Sequence, residues 1–373
     1  MVKKVLIVGG GIGGLSTAIA LRRVGISVDL VEIKMEWTVY HVGIVVQGNF
    51  IRAMAALGIA DQAVAAGFPY HGLKIKTLHG QTVAEIPGIP LAGPHYPTDL
   101  GLARPALHRI LSEAAIGAGT NIRIGVTFTA IRQSEKSVSV SFTDGVIDEY
   151  DLVIGADGLH SEVRNKIFGN THQPRFTGQG VWRYNVRRPE EIDYAFLCTG
   201  LEGGTCGFIP LSRDTGYVLL GQAEPGNPRH SPDRLAEIFR ERLAACTGIM
   251  AELREQITDS SLVIYRPLNA LFMPAPWYRG RVLLIGDAAH ATTPHLGQGA
   301  AQAVEDGVVL SELLTRDEPV ADLLDQFMRR RFERCKFIFE GSLQLGEWDM
   351  HPTPDADRPG LIRKMLDVMA QPI

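Results

Sequence analysis

The sequence predicts an α/β fold in which a parallel sheet is interrupted by a mostly antiparallel one. Three apolar strand-like runs, Val5–Val8, Tyr150–Ile154 and Arg281–Ile285, each end in a turn rich in Gly and Asp. Unbroken apolar runs are typical of parallel strands that are covered on both faces. Between about residues 175 and 266 the pattern changes to short β-like runs separated by Gly, Pro and Asp, which indicates an antiparallel sheet.

The composition excludes several classes of protein. A chain of 373 residues with 45% hydrophobic content is long enough for more than one compact unit. Its formal net charge of −4 argues against a nucleic-acid-binding protein, and the basic run Arg329–Arg331 is expected on a solvated helix face beside Glu333. No apolar stretch reaches the about 18 residues that a transmembrane helix needs, so no membrane partner is expected. The four cysteines form no CxxC pair, which predicts no metal site and a reduced, cytoplasmic setting.

The chain begins with a βαβ pattern built around a glycine turn. The strand Val5–Val8 is followed by Gly9-Gly10-Gly11-Ile12-Gly13-Gly14, a helix to Arg23, and a second strand over Ser27–Val31 that ends at Glu32. Glycines at this spacing allow a tight turn, close approach to a pyrophosphate and close packing of helix on strand. The helix N-terminus then offers free N–H groups to the phosphates.

The acid at the end of the second strand indicates which nucleotide binds. Glu32 lies where a carboxylate accepts hydrogen bonds from ribose hydroxyls, and it disfavours a 2′-phosphate. We therefore predict that this turn holds the adenosine half of FAD and not NADPH. The predicted contacts are Gly9, Gly11, Ile12, Gly13, Gly14 and Glu32.

The later elements follow from periodicity and turn signals. Helices are predicted over 50–57 and 104–118, and strands over 122–126 and 137–142. The antiparallel region is predicted to have strands over 180–186, 194–198, 205–209 and 217–222, then a helix over 232–244. The stretch 72–85 can add strands to that sheet, and the chain after 285 is predicted to be helical with breaks near Pro319 and over 352–359.

These patterns define an organisation in three parts. Residues 1–70, 96–174 and 267–339 are predicted to form a discontinuous, Rossmann-like FAD-binding domain. Residues 71–95 and 175–266 are predicted to form an antiparallel β-sheet substrate domain, and 340–373 a C-terminal helical tail.

Two further motifs complete the pattern and indicate a family. Gly155-Ala156-Asp157-Gly158 and Gly286-Asp287-Ala288-Ala289-His290 directly follow the second and third apolar strands. With the glycine turn, and in this order, they resemble the single-component FAD-dependent aromatic hydroxylases, which are flavoprotein monooxygenases of the para-hydroxybenzoate and salicylate hydroxylase type. The resemblance covers about residues 5–339. No second glycine fingerprint follows, which matches a family in which NADH or NADPH binds transiently in a groove.

The resemblance implies an activity. The expected reaction is the NAD(P)H- and O2-dependent hydroxylation of a small, electron-rich aromatic or heteroaromatic compound through a C4a-hydroperoxyflavin. Alternatives are a flavin epoxidase or N-hydroxylase on a non-phenolic substrate, and a non-catalytic flavin-binding redox sensor. The expected partners are the small aromatic substrate and O2, and the expected assembly is a monomer or a homodimer. The identity of the ring, the choice of NADH or NADPH, and any loss of a carboxylate stay open.

The resemblance also implies flavin contacts outside the glycine turn. Asp287, beside Gly286, is expected on the ribityl chain, and Asp157 near the pyrophosphate, although an Asp-Gly turn with a helix cap is an alternative for Asp157. A helix that begins near Gln298 is expected to point its positive end at flavin N1 and O2. The remaining implied contacts are Gln47, Arg104, Pro294, Gly297 and Gly299. Gly48-Asn49 stands where many relatives have Pro-Asn, which leaves the backbone shape there open.

Two residues are candidates for acid–base or substrate contacts. His295 could deprotonate a phenol, or it could only pack against or cap the following helix. Tyr217 could hydrogen-bond a substrate hydroxyl, or it could pack within the sheet. Tyr40 and His41 are weaker candidates, and His290 is expected to be structural.

Overall fold

The computed structural model describes residues 1–37 and 39–373. Its strands are β1 (Lys4–Val8), β2 (Ser27–Glu32), β3 (Gly43–Gln47), β4 (Phe68–Tyr70), β5 (Leu73–Thr77), β6 (Thr82–Ile86), β7 (Asp99–Ala103), β8 (Asn121–Ile124), β9 (Phe128–Gln133), β10 (Val138–Phe142), β11 (Ile147–Tyr150), β12 (Leu152–Gly155), β13 (Arg175–Arg187), β14 (Ala195–Leu201), β15 (Gly204–Pro210), β16 (Thr215–Ala223), β17 (Ile264–Ala270), β18 (Tyr278–Arg279) and β19 (Val282–Leu284). Its α-helices are α1 (Ile12–Arg23), α2 (Gly48–Ala56), α3 (Ala60–Ala66), α4 (Arg104–Gly117), α5 (Glu162–Phe168), α6 (Leu235–Arg242), α7 (Ile249–Glu255), α8 (Asp287–His290), α9 (Gly299–Leu314), α10 (Val320–Met350) and α11 (Arg358–Ala370).

The three motif strands are neighbours in one sheet. A six-stranded sheet has the order β18-β19-β12-β1-β2-β8, and its pairings are parallel except for β18 with β19. The central strands β1, β12 and β19 are buried along almost their whole length, which explains their unbroken apolar sequences. Because parallel strands end at the same edge of a sheet, all three Gly/Asp turns meet there.

The second large sheet separates a packed face from an open one. It has seven strands in the order β17-β13-β16-β15-β14-β5-β6, antiparallel except for β14 with β5. On β16, Val218 and Leu220 pack into a core with Phe239 of α6, while Tyr217 and Leu219 face the other way. The sequence is correct that the stretch 72–85 adds strands here, since β5 and β6 form one edge. The exact domain boundaries stay a prediction.

The C-terminal part packs against both sheets. The predicted boundary between residues 339 and 340 falls inside α10, a single helix of 31 residues. Leu345 of α10 and Met365 of α11 form a small core with Leu296. None of the helices in the described residues is long and apolar enough to cross a membrane.

The expectation that the run Arg329–Arg331 is solvated is wrong for its last member. Arg329 is exposed and Arg330 is half-buried, but the Arg331 side chain is 0% exposed. The helix directs Arg331 toward α9, where its guanidinium forms ion pairs with Glu305 and Asp306. A charge run on a helix therefore has one residue that belongs to the core.

Candidate active site

The glycine turn has a shape that only glycine permits at two of its positions. Gly9 has a φ of +110°, and a Cβ there would lie 2.4 Å from the Ala156 carbonyl oxygen. A Cβ on Gly14 would lie 1.9 Å from the Gly9 carbonyl oxygen. A Cβ on Gly11, by contrast, would have no atom within 4 Å. The turn is therefore closely packed at Gly9 and Gly14 but open to a ligand at Gly11.

The open side of the turn can take a phosphate. Gly11 is the N-cap of α1 and supplies no side-chain cap, which leaves the first N–H groups of α1 for a ligand. Ile12 begins that helix, and Gly13 packs against Ala303 of α9. Glu32 accepts a hydrogen bond from Gly10 N at 2.8 Å and so braces the turn from the end of β2. These features fit the pyrophosphate and ribose of a dinucleotide.

Asp157 caps a helix in this structure. It accepts hydrogen bonds from the Ser161 hydroxyl and from Val163 N at the start of α5. Burial raises the pKa of Asp157, and these hydrogen bonds oppose the rise. Arg164 is also structural here, because its guanidinium donates to the carbonyls of Leu159, His172 and Ala288. A contact between Asp157 and the cofactor stays a prediction.

Asp287 and Arg104 lie close enough to interact electrostatically. Asp287 follows Gly286, whose φ of +56° turns the chain sharply after β19, and Asp287 is exposed. Surrounding protein raises the pKa of Asp287, while His290 and Arg104 oppose the rise. Burial and the neighbouring Arg183 lower the pKa of Arg104 to about 10. A carboxylate available in a cleft fits a polyhydroxylated chain such as the ribityl of FAD.

The segment before α9 has the geometry expected of a flavin-facing loop. Pro294–Leu296 forms one 3₁₀ turn, Gly297 has a φ of +67°, and Gly299 begins α9. Gln298, at the N-cap of α9, is 0% exposed, and its amide nitrogen donates to the side-chain oxygens of Gln47 and Asn49. A Cβ added to Gly297 would lie 3.8 Å from the side-chain amide nitrogen of Gln47. The two loops predicted to contact the flavin are thus bonded to each other.

The Gly48-Asn49 pair now has a physical explanation. A Cβ on Gly48 would lie 2.2 Å from the Ile89 carbonyl oxygen, so this position requires glycine. Asn49 is 1% exposed and donates from Nδ2 to Gln298 and to Glu305 Oε1, both at 2.9 Å. The pair connects the loop to the core below it.

A buried ionic network lies beneath these loops. Arg331 donates to Glu305 Oε2 at 2.7 Å and to Asp306 Oδ1 at 2.8 Å. Arg334 donates to the same Glu305 oxygen at 2.8 Å. Asp306 in turn accepts from Gly286 N at 2.9 Å, directly before Asp287. We name these four side chains, Glu305, Asp306, Arg331 and Arg334, the core ion network.

The core ion network also explains the role of His290. Its Nε2 lies 2.7 Å from Asp306 Oδ2. Burial alone lowers the pKa of His290, but Cys335 and the Asp306 carboxylate together outweigh it and hold that pKa well above the ordinary value. His290, Asp306 and Cys335 lie close enough to hold a metal ion, yet the Arg331 guanidinium already donates to both Asp306 and Cys335. A fixed cation there disfavours a metal, and the geometry supports a structural role.

An apolar cavity of about 470 Å³ adjoins the flavin-facing loop. It brings together five of the residues singled out in the sequence, namely Gln47, Tyr217, Pro294, His295 and Gly297. The predicted residues of the glycine turn, Glu32, Asp157 and Asp287 do not line it. Nor do Tyr40 and His41, of which Tyr40 accepts from Arg266 and His41 contacts Leu262 O. The cavity therefore adjoins residues 294–297, the segment that is predicted to face the flavin.

Two polar side chains point into this cavity without protein partners. Within the described part of the chain, neither the Arg183 guanidinium nor the Tyr217 hydroxyl has a hydrogen-bond partner. Burial lowers the pKa of Arg183, and only Tyr217 opposes it. Burial also raises the pKa of Tyr217, so this phenol stays protonated and can donate. Sequence reasoning missed Arg183, whose one signal is a charge on the alternating strand Trp182-Arg183-Tyr184.

The C-terminal helices supply two more cavity residues that carry no sequence motif. Asp349 of α10 lies 3.4 Å from His295 Nε2, and Arg358 of α11 lies 2.6 Å from Asp349. All three line the cavity.

Comparison with known proteins places this architecture in a family. The FAD binding domain family matches residues 3–341 of the chain. The chain belongs to that family. The 2-heptyl-3-hydroxy-4(1H)-quinolone synthase of Pseudomonas aeruginosa is 33% identical over 355 residues, which cover 92% of this chain and 90% of that protein. The aurachin C monooxygenase/isomerase of Stigmatella aurantiaca is 30% identical over 354 residues, with coverage of 92% and 90%.

Structural comparison gives the same family. The crystal structure of Klebsiella pneumoniae HpxO complexed with FAD and uric acid matches with a TM-score of 0.88 and 26% identity, over 98% of this chain and 96% of that chain. The resemblance stated from the three motifs is thus confirmed, and so are the fold class and FAD as the cofactor. The protein is a FAD-dependent monooxygenase. Its open glycine turn, exposed Asp287 and hydrogen-bonded loops fit that cofactor.

Proposed function

We propose that this FAD-dependent monooxygenase hydroxylates a fused heteroaromatic compound that has an anionic or strongly hydrogen-bond-accepting oxygen and an apolar substituent, with NADH or NADPH and O2 as co-substrates. The observation that carries the proposal is the pair of polar groups without protein partners, Arg183 and Tyr217, in a mostly apolar cavity beside residues 294–297. When bound, FAD supplies the redox chemistry and the activation of O2. The chain itself binds the ring, orients it and keeps water out.

The polar end of the cavity supports an electron-rich oxygen on the ring. A buried guanidinium without a counter-ion is costly, and an anionic ligand group relieves that cost. Arg183 is such a group, and Arg104 adds a second positive charge nearby. Tyr217 can donate its hydroxyl proton in a hydrogen bond to the same oxygen. Both contacts favour the ionised form of the ring, which is the form more reactive toward an electrophilic oxygen.

The apolar wall supports a substituent beyond the ring. Ile75 of β5, Val83 of β6, and Ile362 and Met365 of α11 line the cavity. A volume of about 470 Å³ is within the usual range of about 300–1,000 Å³ for sites that enclose a drug-sized ligand. The quinolone synthase at 33% identity carries a heptyl chain in the name of its product. We therefore propose alkylated quinolone-type rings as the first compounds to test.

A substrate panel tests the proposal. The FAD-loaded protein is given NADH or NADPH with 2-alkyl-4-quinolones of increasing chain length, urate, salicylate and hydroxypyridines, and both hydrogen peroxide and hydroxylated product are measured. The expected result is fast NAD(P)H oxidation with little peroxide, and with a hydroxylated product, for alkylated rings. Oxidation that yields only peroxide with every compound contradicts the substrate class. Absence of flavin reduction by either nucleotide contradicts the monooxygenase cycle and favours the redox-sensor alternative.

A variant pair tests the role of Arg183. Arg183→Gln is expected to lower kcat/KM for the acidic ring about 10- to 100-fold, since a hydrogen bond to a charged group contributes about 1.5–3 kcal/mol. Arg187→Gln is the matched control, because Arg187 is an exposed arginine on the same strand. Equal effects of the two substitutions would show that Arg183 does not contact the substrate.

A further inference from the structure

His295 is held between partners on both of its ring nitrogens. Nδ1 lies 2.9 Å from Thr293 Oγ1, and Nε2 lies 3.4 Å from Asp349 Oδ2. The side chains of His295 and Asp349 are 9% and 2% exposed. Gly346 of α10 allows this close approach, since a Cβ there would lie 3.0 Å from His295 Cε1.

The carboxylate of Asp349 is itself fixed by two other elements. The Thr205 hydroxyl on β15 donates to Oδ1 at 2.6 Å, and Arg358 at the start of α11 lies 2.6 Å from the same oxygen. Burial alone raises the pKa of Asp349, but His295, Arg358 and Thr205 outweigh it and lower that pKa. Asp349 therefore stays ionised and can only accept hydrogen bonds.

An ionised carboxylate beside Nε2 favours the tautomer of His295 that carries a proton on Nε2, and this leaves Nδ1 to interact with Thr293. The Thr293 hydroxyl can donate to a bare Nδ1 or accept from a protonated one, because a hydroxyl has both functions. The ring can thus change charge without turning.

We propose that Asp349 is a positioning residue for His295, and that the C-terminal segment after residue 340 is in this way part of the reaction site. The proposal rests on the proposed function, because it concerns the charge of a side chain that lines the substrate cavity. Asp349 keeps one tautomer and stabilises the imidazolium, which places positive charge beside the ring oxygen that the substrate presents. Among the described residues, the other charged or titratable groups that line this cavity are Arg358 on α11 and, elsewhere in its wall, Tyr70, Asp99, Arg183 and Tyr217.

The first test measures the imidazole itself. In NMR of isotopically labelled histidine in the FAD-loaded protein, the His295 signal is assigned by its loss in His295→Gln and titrated in the wild-type protein and in Asp349→Asn. The expected result is a titration midpoint at least about one pH unit lower in Asp349→Asn, because removal of an opposite charge at this distance disfavours the cation. Equal midpoints would overturn the proposal. This test needs no substrate. It can therefore contradict the role of Asp349 while the proposed function holds, and it can support that role even if the proposed substrate class is wrong.

The second test measures turnover. Asp349→Asn is expected to lower kcat for coupled hydroxylation about 10- to 100-fold, the usual effect of losing a group that orients a functional histidine. The acid limb of its pH profile is expected to move to lower pH. FAD affinity and NAD(P)H-dependent flavin reduction in the absence of substrate are expected to stay unchanged. Asp355→Asn is the control, since Asp355 is an exposed aspartate in the nearby connection between α10 and α11.

A double substitution separates positioning from folding. If Asp349 acts through His295, then Asp349→Asn combined with His295→Gln loses no more activity than His295→Gln alone. Additive losses, or a loss of activity that follows a loss of thermal stability with an unchanged pH profile, would mean that Asp349 is only structural. Asp349→Glu is expected to restore part of the activity, because it keeps the charge.

Discussion

Removal of Arg331 should destabilise the whole protein although this residue touches neither the cavity nor the glycine turn. Its side chain is 0% exposed and neutralises two carboxylates that are also 0% exposed. Breaking a buried ion pair from one side costs about 3–5 kcal/mol, because a charge is left without a partner. Arg334 still holds Glu305, and His290 still holds Asp306, so the lower end of this range applies to Arg331→Met.

Urea unfolding followed by circular dichroism measures this effect. We expect the free energy of unfolding of Arg331→Met to fall by about 3 kcal/mol, and that of Arg329→Met, an exposed position on the same helix, to change by less than about 0.5 kcal/mol. Adding Asp306→Asn should restore part of the loss, because it removes a buried carboxylate that would otherwise be left with His290 as its remaining charged partner. A loss below about 1 kcal/mol in Arg331→Met would refute the reasoning, since it would mean that the carboxylates are not left unpaired.

Three further predictions follow from the site. Gly11→Ala should leave the free energy of unfolding unchanged but weaken FAD binding, because its methyl group enters the open side of the turn. Gly14→Ala should lower the free energy of unfolding by about 1–3 kcal/mol, because its methyl group would lie 1.9 Å from a carbonyl oxygen. Flavin titration and urea unfolding of both variants check this, and identical behaviour would contradict it. Asp287→Asn should weaken FAD binding about 10- to 100-fold. It should not destabilise the apoprotein, because the raised pKa of Asp287 indicates that the fold does not favour its ionised form. A large drop in the free energy of unfolding of the apoprotein would contradict this. Finally, the neighbouring cations hold the folded-state pKa of Asp306 below its usual value, so its stabilising contribution is present above pH about 4 and is lost as pH falls further; acid unfolding of Asp306→Asn should lack this component.

The elements that could be predicted from sequence are those whose signal is local. The three buried strands and the turns that follow them could be predicted, because an apolar run and the glycines after it form a pattern only a few residues long. Asp157 and Asp287 were each predicted in the turn after a buried strand, and the parallel pairing of β12 with β19 brings these turns to one sheet edge. Tyr217 could be named as a candidate because it stands on a predicted strand of the antiparallel sheet, with packing within the sheet as the alternative.

The parts that could not be predicted depend on contacts between distant segments. The sequence indicates a solvated Arg331, because its partners Asp306 and Glu305 lie 25 and 26 residues earlier. Only the packing of α10 on α9 brings them together. Asp349 and Arg358 carry no pattern, since their relation to His295 is created by the turn between two helices. Arg183 resembles any strand arginine until its neighbours are known.

The core ion network also has a consequence for the order in which the protein is made. Arg334 donates to the carbonyls of Val368 and Met369, and Arg52, beside the flavin-facing loop, donates to that of Met369 as well. On the ribosome, the nucleotide-binding turn emerges long before the residues that complete the contacts beneath it, since Arg52 and Met369 are 317 positions apart. Stable loading of flavin is therefore expected only after synthesis of α11, and a nascent chain that stalls before α11 would remain without flavin.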